Sequence, residues 1–178
     1  MKTDNTYLKQ KIQLRIDCLN GKKEVSVLDC FAGTGKLWDY VKKSTNININ
    51  IIGIEKEYRK NKMTLIGDNR KYLKTIDLKN FDIIDLDSYG IPFDQLEILF
   101  ERNYKGIIIV TAIQSIFGTL PDKMLYKLGY TDRMIKKIPT LFYRDGFAKL
   151  KNYLYINGIK KIEGYFIGRK NYFYFNLN

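Results

Sequence analysis

Short apolar stretches alternate with polar, amphipathic ones along the first two thirds of the chain. Five apolar stretches predict strands, at residues 25–30, 49–55, 63–68, 81–87 and 106–111. The fifth is apolar almost throughout, as expected for a parallel strand that is buried on both faces. Strands that alternate with helices predict right-handed βαβ units and a mostly parallel sheet in an α/β fold. The predicted helices are 1–24, 36–44, 56–61, 69–75 and 93–102.

The last third of the chain has a different pattern. Residues 119–155 have mostly helical periodicity, with breaks near Gly129 and Pro139. Residues 162–175 predict two strands joined by a turn at 168–171, which has the composition of a hairpin turn. The aromatic side chains of these strands favour hairpin core over a base-stacking surface. We therefore expect an antiparallel hairpin at or near one edge of the sheet.

Composition limits the chemistry that this chain can perform. It has 178 residues, enough for one domain with a substantial core, and only two cysteines, Cys18 and Cys30. The chain contains no histidine, which excludes Ser-His-Asp and Cys-His catalysis and imidazole metal sites, so no metal is expected. Without a membrane-spanning apolar run or a signal-peptide pattern at the start, the sequence predicts a cytoplasmic protein with no membrane association.

The net charge is strongly positive. The chain carries 31 basic and 19 acidic residues, a formal charge of +12. Such an excess attracts polyanions by long-range steering and counterion release, which favours a nucleic-acid partner. The alternative is an AT-rich coding bias, which inflates Lys, Asn, Ile and Tyr together.

Two of the predicted strands end in residues suited to a nucleotide-like ligand. The first is followed by Asp29-Cys30-Phe31-Ala32-Gly33-Thr34-Gly35, where glycines allow close backbone approach and the next helix offers free N–H groups. Glu55 ends the second strand, 20 residues after Gly35, where a carboxylate can accept hydrogen bonds from a ribose diol. The alternatives are a tight strand-to-helix turn and a solvated loop acid.

Two further strand ends carry acids. Asp68 and Asn69 follow the third strand and can meet an adenine amino group, or Asp68 can be a helix N-cap. The fourth strand ends in Asp85-Leu86-Asp87-Ser88-Tyr89-Gly90-Ile91-Pro92. Two acids on one strand face, followed by an aromatic ring, suit an unpaired or flipped base. The alternative is a loop with an incidental tyrosine.

These four strand ends together resemble the class I S-adenosylmethionine-dependent methyltransferases. The matching pattern is D-x-F-x-G-x-G, an acid after strand two, Gly-Asp after strand three and D-x-D-x-Y-G after strand four, over about residues 25–118. The resemblance implies a Rossmann-like methyltransferase fold, with a mostly parallel seven-stranded sheet, helices on both faces and the C-terminal antiparallel hairpin. It also implies S-adenosyl-L-methionine as the cofactor.

The resemblance divides the chain into parts. One methyltransferase domain, 1–178, would consist of an N-terminal helix at 1–24, a cofactor-binding half at 25–118 and a substrate-side half with the hairpin at 119–178. Asp87-Ser88-Tyr89-Gly90 resembles the motif of enzymes that methylate exocyclic amino groups of bases. With Val110-Thr111-Ala112, it is most similar to the tRNA guanine dimethyltransferases, which suggests tRNA modification. Ser88 stands where those enzymes have proline, and Ile113-Gln114 replaces their Thr-Asp.

The resemblance assigns a role to each residue. Asp87 would accept a hydrogen bond from the target amino group, and Tyr89 would stack on the base. The predicted cofactor-binding residues are Asp29, Phe31, Gly33, Gly35, Glu55, Asp68, Asn69 and Asp85, with Asp29 ordering the turn and Asp85 either contacting the methionine ammonium or acting structurally.

The substrate stays open at this stage. RNA is slightly favoured over DNA because the chain has no evident target-recognition domain, unless a partner subunit supplies recognition. The alternatives are a methyltransferase of a protein or small molecule, and a methyltransferase-like nucleic-acid-binding module without turnover. Scattered basic residues and Tyr143, Tyr153 and Tyr155 are candidates for a substrate track.

Overall fold

The structure is a computed structural model, and it describes residues 6–19, 21–57, 64–114, 120–137 and 141–178, without the side chains of 141–143. The strands are β1 (Glu24–Asp29), β2 (Asn48–Glu55), β3 (Thr64–Ile66), β4 (Ile83–Leu86), β5 (Gly106–Ile113), β6 (Glu163–Ile167) and β7 (Lys170–Leu177). The helices are α1 (Leu8–Cys18), α2 (Lys36–Ser44), α3 (Asn69–Thr75), α4 (Phe93–Glu101), α5 (Asp122–Lys127), α6 (Asp132–Lys137) and α7 (Leu141–Ile156), with a 3₁₀ turn at Leu78–Asn80.

The strands form one seven-stranded sheet in the order β3-β2-β1-β4-β5-β7-β6. The first five strands in this order are parallel neighbours, and β7 runs antiparallel to both β5 and β6. Asp29 is in register with both Gly53 and Asp85, so the carboxyl ends of β1, β2 and β4 meet at one edge of the sheet. We call this the carboxyl edge; in open α/β sheets it is where ligands bind.

Alternating side chains give the sheet two apolar faces. One face presents residues such as Leu28, Ile84 and Ile108, which belong to one cluster with buried side chains of α3, α4, α5 and α7. The other face presents Val27 and Ile83, and α1 and α2 cover it. Helices therefore lie on both faces, as predicted. Among the described residues, no helix combines the length and the apolar character that crossing a membrane requires.

Most predicted elements are confirmed, with changes at their ends. The N-terminal helix covers only Leu8–Cys18 of the predicted 1–24, and β1 already begins at Glu24. The third strand is only three residues long, so Asp68 lies outside it. Of the predicted helix at 56–61, the first two residues form a bend and the others lie outside the described residues, as does Pro139. The predicted helical segment 119–155 breaks at Gly129, which has φ of +84°.

The C-terminal hairpin has the predicted position and a mixed aromatic environment. Its two strands are joined by Gly168 and Arg169, with Gly168 at φ of +59°. Tyr172 and Phe173 are buried, as expected for hairpin core, whereas Phe166 on β6 is 48% exposed. The strand β6 is at the end of the sheet order, so the hairpin forms one edge of the sheet.

Candidate active site

The turn between β1 and α2, residues 30–35, takes its shape from two glycines. Gly33 and Gly35 have φ of +53° and +74°, a region that side chains with a Cβ rarely adopt. Gly35 is the N-cap of α2 and has no side-chain capping bond, so the first N–H groups of this helix have no side-chain acceptor at the N-cap. Asp29 Oδ1 accepts a hydrogen bond from the Phe31 N–H at 3.1 Å, which is the ordering contact expected from the sequence.

The carboxylate of Glu55 lies directly against this glycine turn. Its Oε2 accepts the N–H of Gly33 and its Oε1 accepts the N–H of Lys56, each at 2.9 Å. A carboxylate has about four lone-pair positions, so Glu55 can still accept two more hydrogen bonds. The end of β2 thus presents a carboxylate with free acceptor positions beside the glycine turn, as a ribose diol requires. The N–H groups of Phe31, Ala32, Gly33 and Gly35 already have acceptors within the protein.

Asp29 is almost completely buried beneath the turn, with 5% of its surface exposed. Burial, together with the neighbouring charge of Asp85, raises the pKa of Asp29 well above its usual range, although Arg15 opposes this. Asp29 is therefore suited to a structural role under the turn.

Asp68 and Asn69 are both occupied by contacts within the protein. Asp68 caps α3 by accepting the Arg70 N–H at 2.9 Å, and it pairs with the Arg70 guanidinium at 2.7 Å, so the N-cap alternative is present. This hydrogen bonding from Arg70 lowers the pKa of Asp68 to about 2. Asn69 is buried and donates to the Cys30 carbonyl at 2.7 Å while accepting from Gln95 at 2.8 Å. Asn69 therefore braces the glycine turn, and its contact with adenine stays a prediction.

Asp85 forms a fully buried ion pair with Arg15 of α1. Both side chains have no exposed surface, and the guanidinium donates to both carboxylate oxygens at 2.8 Å. Trp38 of α2 donates its Nε1–H to the same carboxylate at 2.8 Å. These contacts favour the structural alternative for Asp85, because both of its oxygens already have partners.

Asp87 lies at the carboxyl edge and is held by Lys11 of α1. The Lys11 ammonium is 2.7 Å from Oδ1 and 2.9 Å from Oδ2, and the Thr111 hydroxyl donates to Oδ1 at 2.6 Å. Burial alone would raise the pKa of Asp87, but the charges of Arg15 and Lys11 and the hydrogen bonds of Lys11 and Thr111 hold it below its usual range. Asp87 is therefore an ionised acceptor, with lone pairs on Oδ2 for one further donor.

The loop after β4 places one aromatic ring in solvent. The Ser88 hydroxyl donates to the carbonyls of Thr111 and Gly90 at 3.2 and 3.3 Å, which ties this loop to β5. Ser88 therefore anchors the loop through its side chain at the position where the resembling enzymes have proline. The Tyr89 side chain beside it is 76% exposed and available for stacking.

Four residues of this site were not predicted from the sequence: Lys11, Arg15, Trp38 and Thr111. A usable signal for the first two exists, because Lys11, Leu14, Arg15 and Cys18 are the buried residues of α1 and follow helical spacing. Two basic residues on the buried stripe of a helix, with two acids on one face of a buried strand, indicate a charge pairing.

Two tyrosines of the predicted substrate track can be placed in the structure. Tyr153 packs against Phe93 with ring centroids 4.8 Å apart, so it belongs to the core. Tyr155 is 68% exposed at the end of α7, and the side chain of Tyr143 lies outside the described residues.

A cavity of about 820 Å³ begins at the glycine turn and extends along β2. Ala32, Thr34 and Gly35 line it near the turn, and Asn50 and Asn80 line it far from the carboxyl edge. Neither Glu55 nor Asp87 is among its lining residues. The cavity reaches the glycine turn but does not show where a second ligand would bind.

Comparisons with known proteins identify the fold. The sequence matches no protein-family model and no curated protein. The structure is similar to that of a proposed class I S-adenosylmethionine-dependent methyltransferase from Listeria monocytogenes, with a TM-score of 0.53 and 16% identity over 98% of this chain and 60% of that one. A proposed S-adenosylmethionine-dependent methyltransferase from Methanococcus maripaludis gives a TM-score of 0.53 and 14% identity over 97% and 88% of the two chains.

A third similar structure contains a ligand. It is the plantazolicin methyltransferase BamL in complex with a substrate analogue and S-adenosylhomocysteine, with a TM-score of 0.51 and 11% identity over 97% of this chain and 86% of that one. The chain therefore has a Rossmann-like methyltransferase fold, with the mostly parallel seven-stranded sheet and C-terminal antiparallel hairpin that the sequence predicted.

Proposed function

We propose that this chain binds S-adenosyl-L-methionine and transfers its methyl group to a nucleic acid, at an exocyclic amino group of a base, with RNA slightly favoured over DNA. The observation that carries the cofactor proposal is the contact of the Glu55 carboxylate with the Gly33 N–H in a chain with this fold. This contact places an acceptor for ribose hydroxyls next to a glycine turn, where a ligand can approach the backbone closely.

The residues at the carboxyl edge fit this cofactor. Glu55 would accept from the ribose hydroxyls with its two remaining lone-pair positions, and the methionine portion would lie against the turn from Phe31 to Gly35, whose two glycines allow close approach. Asp29 keeps the turn in shape from below. The adenine would lie towards the start of α3, where Asp68 and Asn69 are the proposed contacts.

The chemistry requires alignment more than acid–base catalysis. When bound, the cofactor would supply a methyl group on a sulfonium; in-line transfer to the acceptor nitrogen breaks the carbon–sulfur bond and releases S-adenosylhomocysteine and the proton that the amino group loses. Asp87 would accept a hydrogen bond from the target amino group through Oδ2, and so direct the nitrogen lone pair towards the methyl group. Tyr89 would hold the base by stacking, and positioning of this kind can contribute about 7–11 kcal/mol to the reduction of the barrier.

The nucleic-acid part of the proposal rests on charge and on Tyr89. A chain with a net charge of +12 attracts polyanions, and an exposed tyrosine ring beside an acceptor suits an unstacked base. The proteins with a similar structure include a plantazolicin methyltransferase, so an acceptor other than a nucleic acid is the alternative to test beside RNA and DNA.

A second candidate acceptor is a hydroxyl group. Lys11 places a positive charge at 2.7 Å from Asp87, on the acceptor side of the proposed site. A cation there opposes positive charge developing on an amine and stabilises the negative charge of a hydroxyl that loses its proton. Identification of the methylated atom, nitrogen or oxygen, by mass spectrometry of digested product separates the two candidates.

The cofactor proposal is tested by calorimetric titration with S-adenosyl-L-methionine. We expect saturable binding that Glu55→Ala abolishes. The matched control is Glu57→Ala, which removes an exposed acid two residues further along and should leave binding unchanged. Absence of binding to the wild-type protein at millimolar cofactor would refute the enzyme proposal and leave the binding-module alternative.

The role of Asp87 is tested by turnover. Asp87→Asn and Asp87→Ala should both lose methyl transfer while retaining cofactor binding, because Glu55 and the glycine turn are untouched. Circular dichroism melting of both variants identifies any loss of folding that follows from leaving Lys11 unpaired. Full activity in a folded Asp87→Ala variant would contradict the assignment.

A further inference from the structure

Two cations of helix α1 lie against the carboxylate that the acceptor group would approach. The Lys11 ammonium is 2.7 Å from Oδ1 and 2.9 Å from Oδ2 of Asp87. The Nη2 atom of Arg15 is 3.8 Å from the same Oδ2. A nitrogen that donates to Oδ2 at an ordinary hydrogen-bond length therefore comes within about 6 Å of the Lys11 ammonium.

Both cations are held in place by further contacts within the protein. The Arg15 side chain has no exposed surface, and its Nη1–H donates to the Lys11 carbonyl at 2.9 Å. The Lys11 side chain is 11% exposed, and its ammonium is 5.5 Å from the centre of the Tyr172 ring, a cation–π distance. Because neither charge extends into solvent, dissolved salt screens both of them only weakly.

The charges in this cluster balance one another. Asp85 and Asp87 pair with Arg15 and Lys11, which places two carboxylates against two cations. The neighbouring buried acid, Asp29, has a pKa well above its usual range because of its burial and the charge of Asp85, so its neutral form is favoured. These groups together therefore carry no net negative charge that would attract an incoming cation.

This arrangement distinguishes acceptor groups by their charge. A protonated aliphatic amine would have to share Asp87 with Lys11, and like charges a few ångströms apart in a largely buried site repel one another. The exocyclic amino groups of bases are uncharged at pH 7, as are hydroxyl groups. Such acceptors can donate a hydrogen bond to Asp87 without adding another positive charge beside Lys11.

We propose that Lys11 is a specificity-determining residue, which admits uncharged amino and hydroxyl groups to Asp87 and excludes ammonium groups. This inference rests on the proposed function and narrows its acceptor class. Lysine side chains of proteins and polyamines are excluded, whereas bases are not. Lys11 acts through its charge at a fixed position, so the discrimination occurs when the acceptor binds, before any methyl group is transferred.

The test compares Lys11→Met with Lys9→Met, which lowers the net charge equally by removing an exposed lysine of the same helix. The probes are benzylamine, which is an ammonium ion at pH 7, and aniline, which is neutral. Each probe is titrated into each protein at pH 7, and the dissociation constants are measured by NMR. Thermal melts check folding, and Lys11→Gln, which retains a donor to Asp87, takes the place of Lys11→Met if that variant does not fold.

Lys11→Met should bind benzylamine at least about tenfold more tightly than the wild-type protein, since close charge pairs alter affinity by at least this factor. Lys9→Met should match the wild-type protein, and so should Lys11→Arg, which retains a cation. The affinity for aniline should change much less in Lys11→Met. Addition of Asp87→Asn to Lys11→Met should remove the gain, which ties it to this carboxylate.

Two results would overturn the role of Lys11. One is benzylamine binding that is equally tight, or equally absent, in Lys11→Met and Lys9→Met. The other is a wild-type protein that prefers benzylamine to aniline.

Titration of the wild-type protein with S-adenosyl-L-methionine separates this inference from the proposed function. Absence of cofactor binding would refute the proposed function and, with it, the acceptor role of this site. Cofactor binding without the gain in Lys11→Met would overturn the role of Lys11 alone.

Discussion

Arg15 on the N-terminal helix and Asp85 at the end of β4 form an ion pair in which neither side chain has any exposed surface. The pair is bidentate, and Trp38 adds a third donor to the carboxylate. Lys11, one helical turn earlier, makes the corresponding contact with Asp87. Helix α1 therefore acts as part of the candidate active site, since it fixes the charge and position of both acids.

Removal of Arg15 should strongly destabilise the protein. In Arg15→Met, Asp85 remains buried without its counter-charge, and we expect a loss of about 3–5 kcal/mol in the free energy of unfolding by urea denaturation. Lys9→Met, an exposed substitution on the same helix, is the control and should change stability by less than about 0.5 kcal/mol.

The ion pair between Arg15 and Asp85 also predicts the stability of a variant that lacks both charges. Arg15→Met with Asp85→Asn removes both charges and keeps an acceptor for Trp38, so it should be more stable than Arg15→Met alone. If the double variant loses as much free energy of unfolding as Arg15→Met and Asp85→Asn together, the two charges are not coupled.

Removal of Lys11 should lower stability near neutral pH and make it less sensitive to acid. Asp87 has a pKa below its usual range despite burial, because Arg15, Lys11 and Thr111 stabilise its ionised form. Its stabilising contribution is present above the unfolded pKa and is lost as the pH falls through the folded pKa. In Lys11→Met the folded pKa rises towards the unfolded one, so the variant should have a lower Tm than the wild-type protein at pH 7 and should lose less of it as the pH falls.

The measurement is a series of thermal melts from about pH 7 to pH 3, a range that brackets an ordinary aspartate pKa. Lys9→Met again serves as the control, because it removes one charge from α1 without touching Asp87. Superimposable curves of Tm against pH for Lys11→Met and Lys9→Met would contradict this account of Asp87.

The sequence was sufficient to predict the sheet because its strands are short apolar stretches with period and length typical of buried strands. The stretch 106–111 and the hairpin both occur as predicted. The third strand was overestimated, since a Gly-Asp pair after an apolar run fits both a strand end and a helix N-cap. Only packing of α3 decides between the two.

One part of the candidate site could be predicted from the topology of the sheet. Glu55 and the glycine turn meet because the carboxyl ends of parallel strands share one edge, which follows from topology. The pairing of Lys11 with Asp87 depends on which helix packs over β4, and residues 76 positions apart carry no local signal for that contact. The helical spacing of Lys11 and Arg15 indicates that two cations are buried, but it does not indicate which acid each of them contacts.

The two thiols should be unreactive in the folded protein. Burial raises the pKa of Cys30 well above its usual range, reinforced by the charges of Asp29 and Asp85. Burial likewise raises the pKa of Cys18. Because the thiolate is the reactive species, neither should react with Ellman's reagent at pH about 8 within minutes, and two equivalents should react in denaturant.

An exposed thiol provides the positive control for that assay. Ser44 is exposed at the end of α2, so Ser44→Cys should react at once and stoichiometrically in the folded protein. Rapid reaction of one equivalent in the native wild-type protein would show that α1 or the glycine turn opens, and would contradict the tight packing of these cysteines.

Tyr89 should contribute to substrate affinity and not to stability. Its side chain is 76% exposed, so Tyr89→Ala should leave the Tm of the protein unchanged. Loss of a ring that stacks on a base should weaken binding of single-stranded RNA by about 1–3 kcal/mol, measured by anisotropy. Tyr89→Phe retains the ring and should retain the affinity.

Tyr155→Ala, which removes another tyrosine that is 68% exposed, tests whether any surface tyrosine has this effect. Equal affinities for the Tyr89→Ala and Tyr155→Ala variants would exclude stacking on Tyr89, whereas a loss confined to Tyr89→Ala would support the placement of the target base next to Asp87.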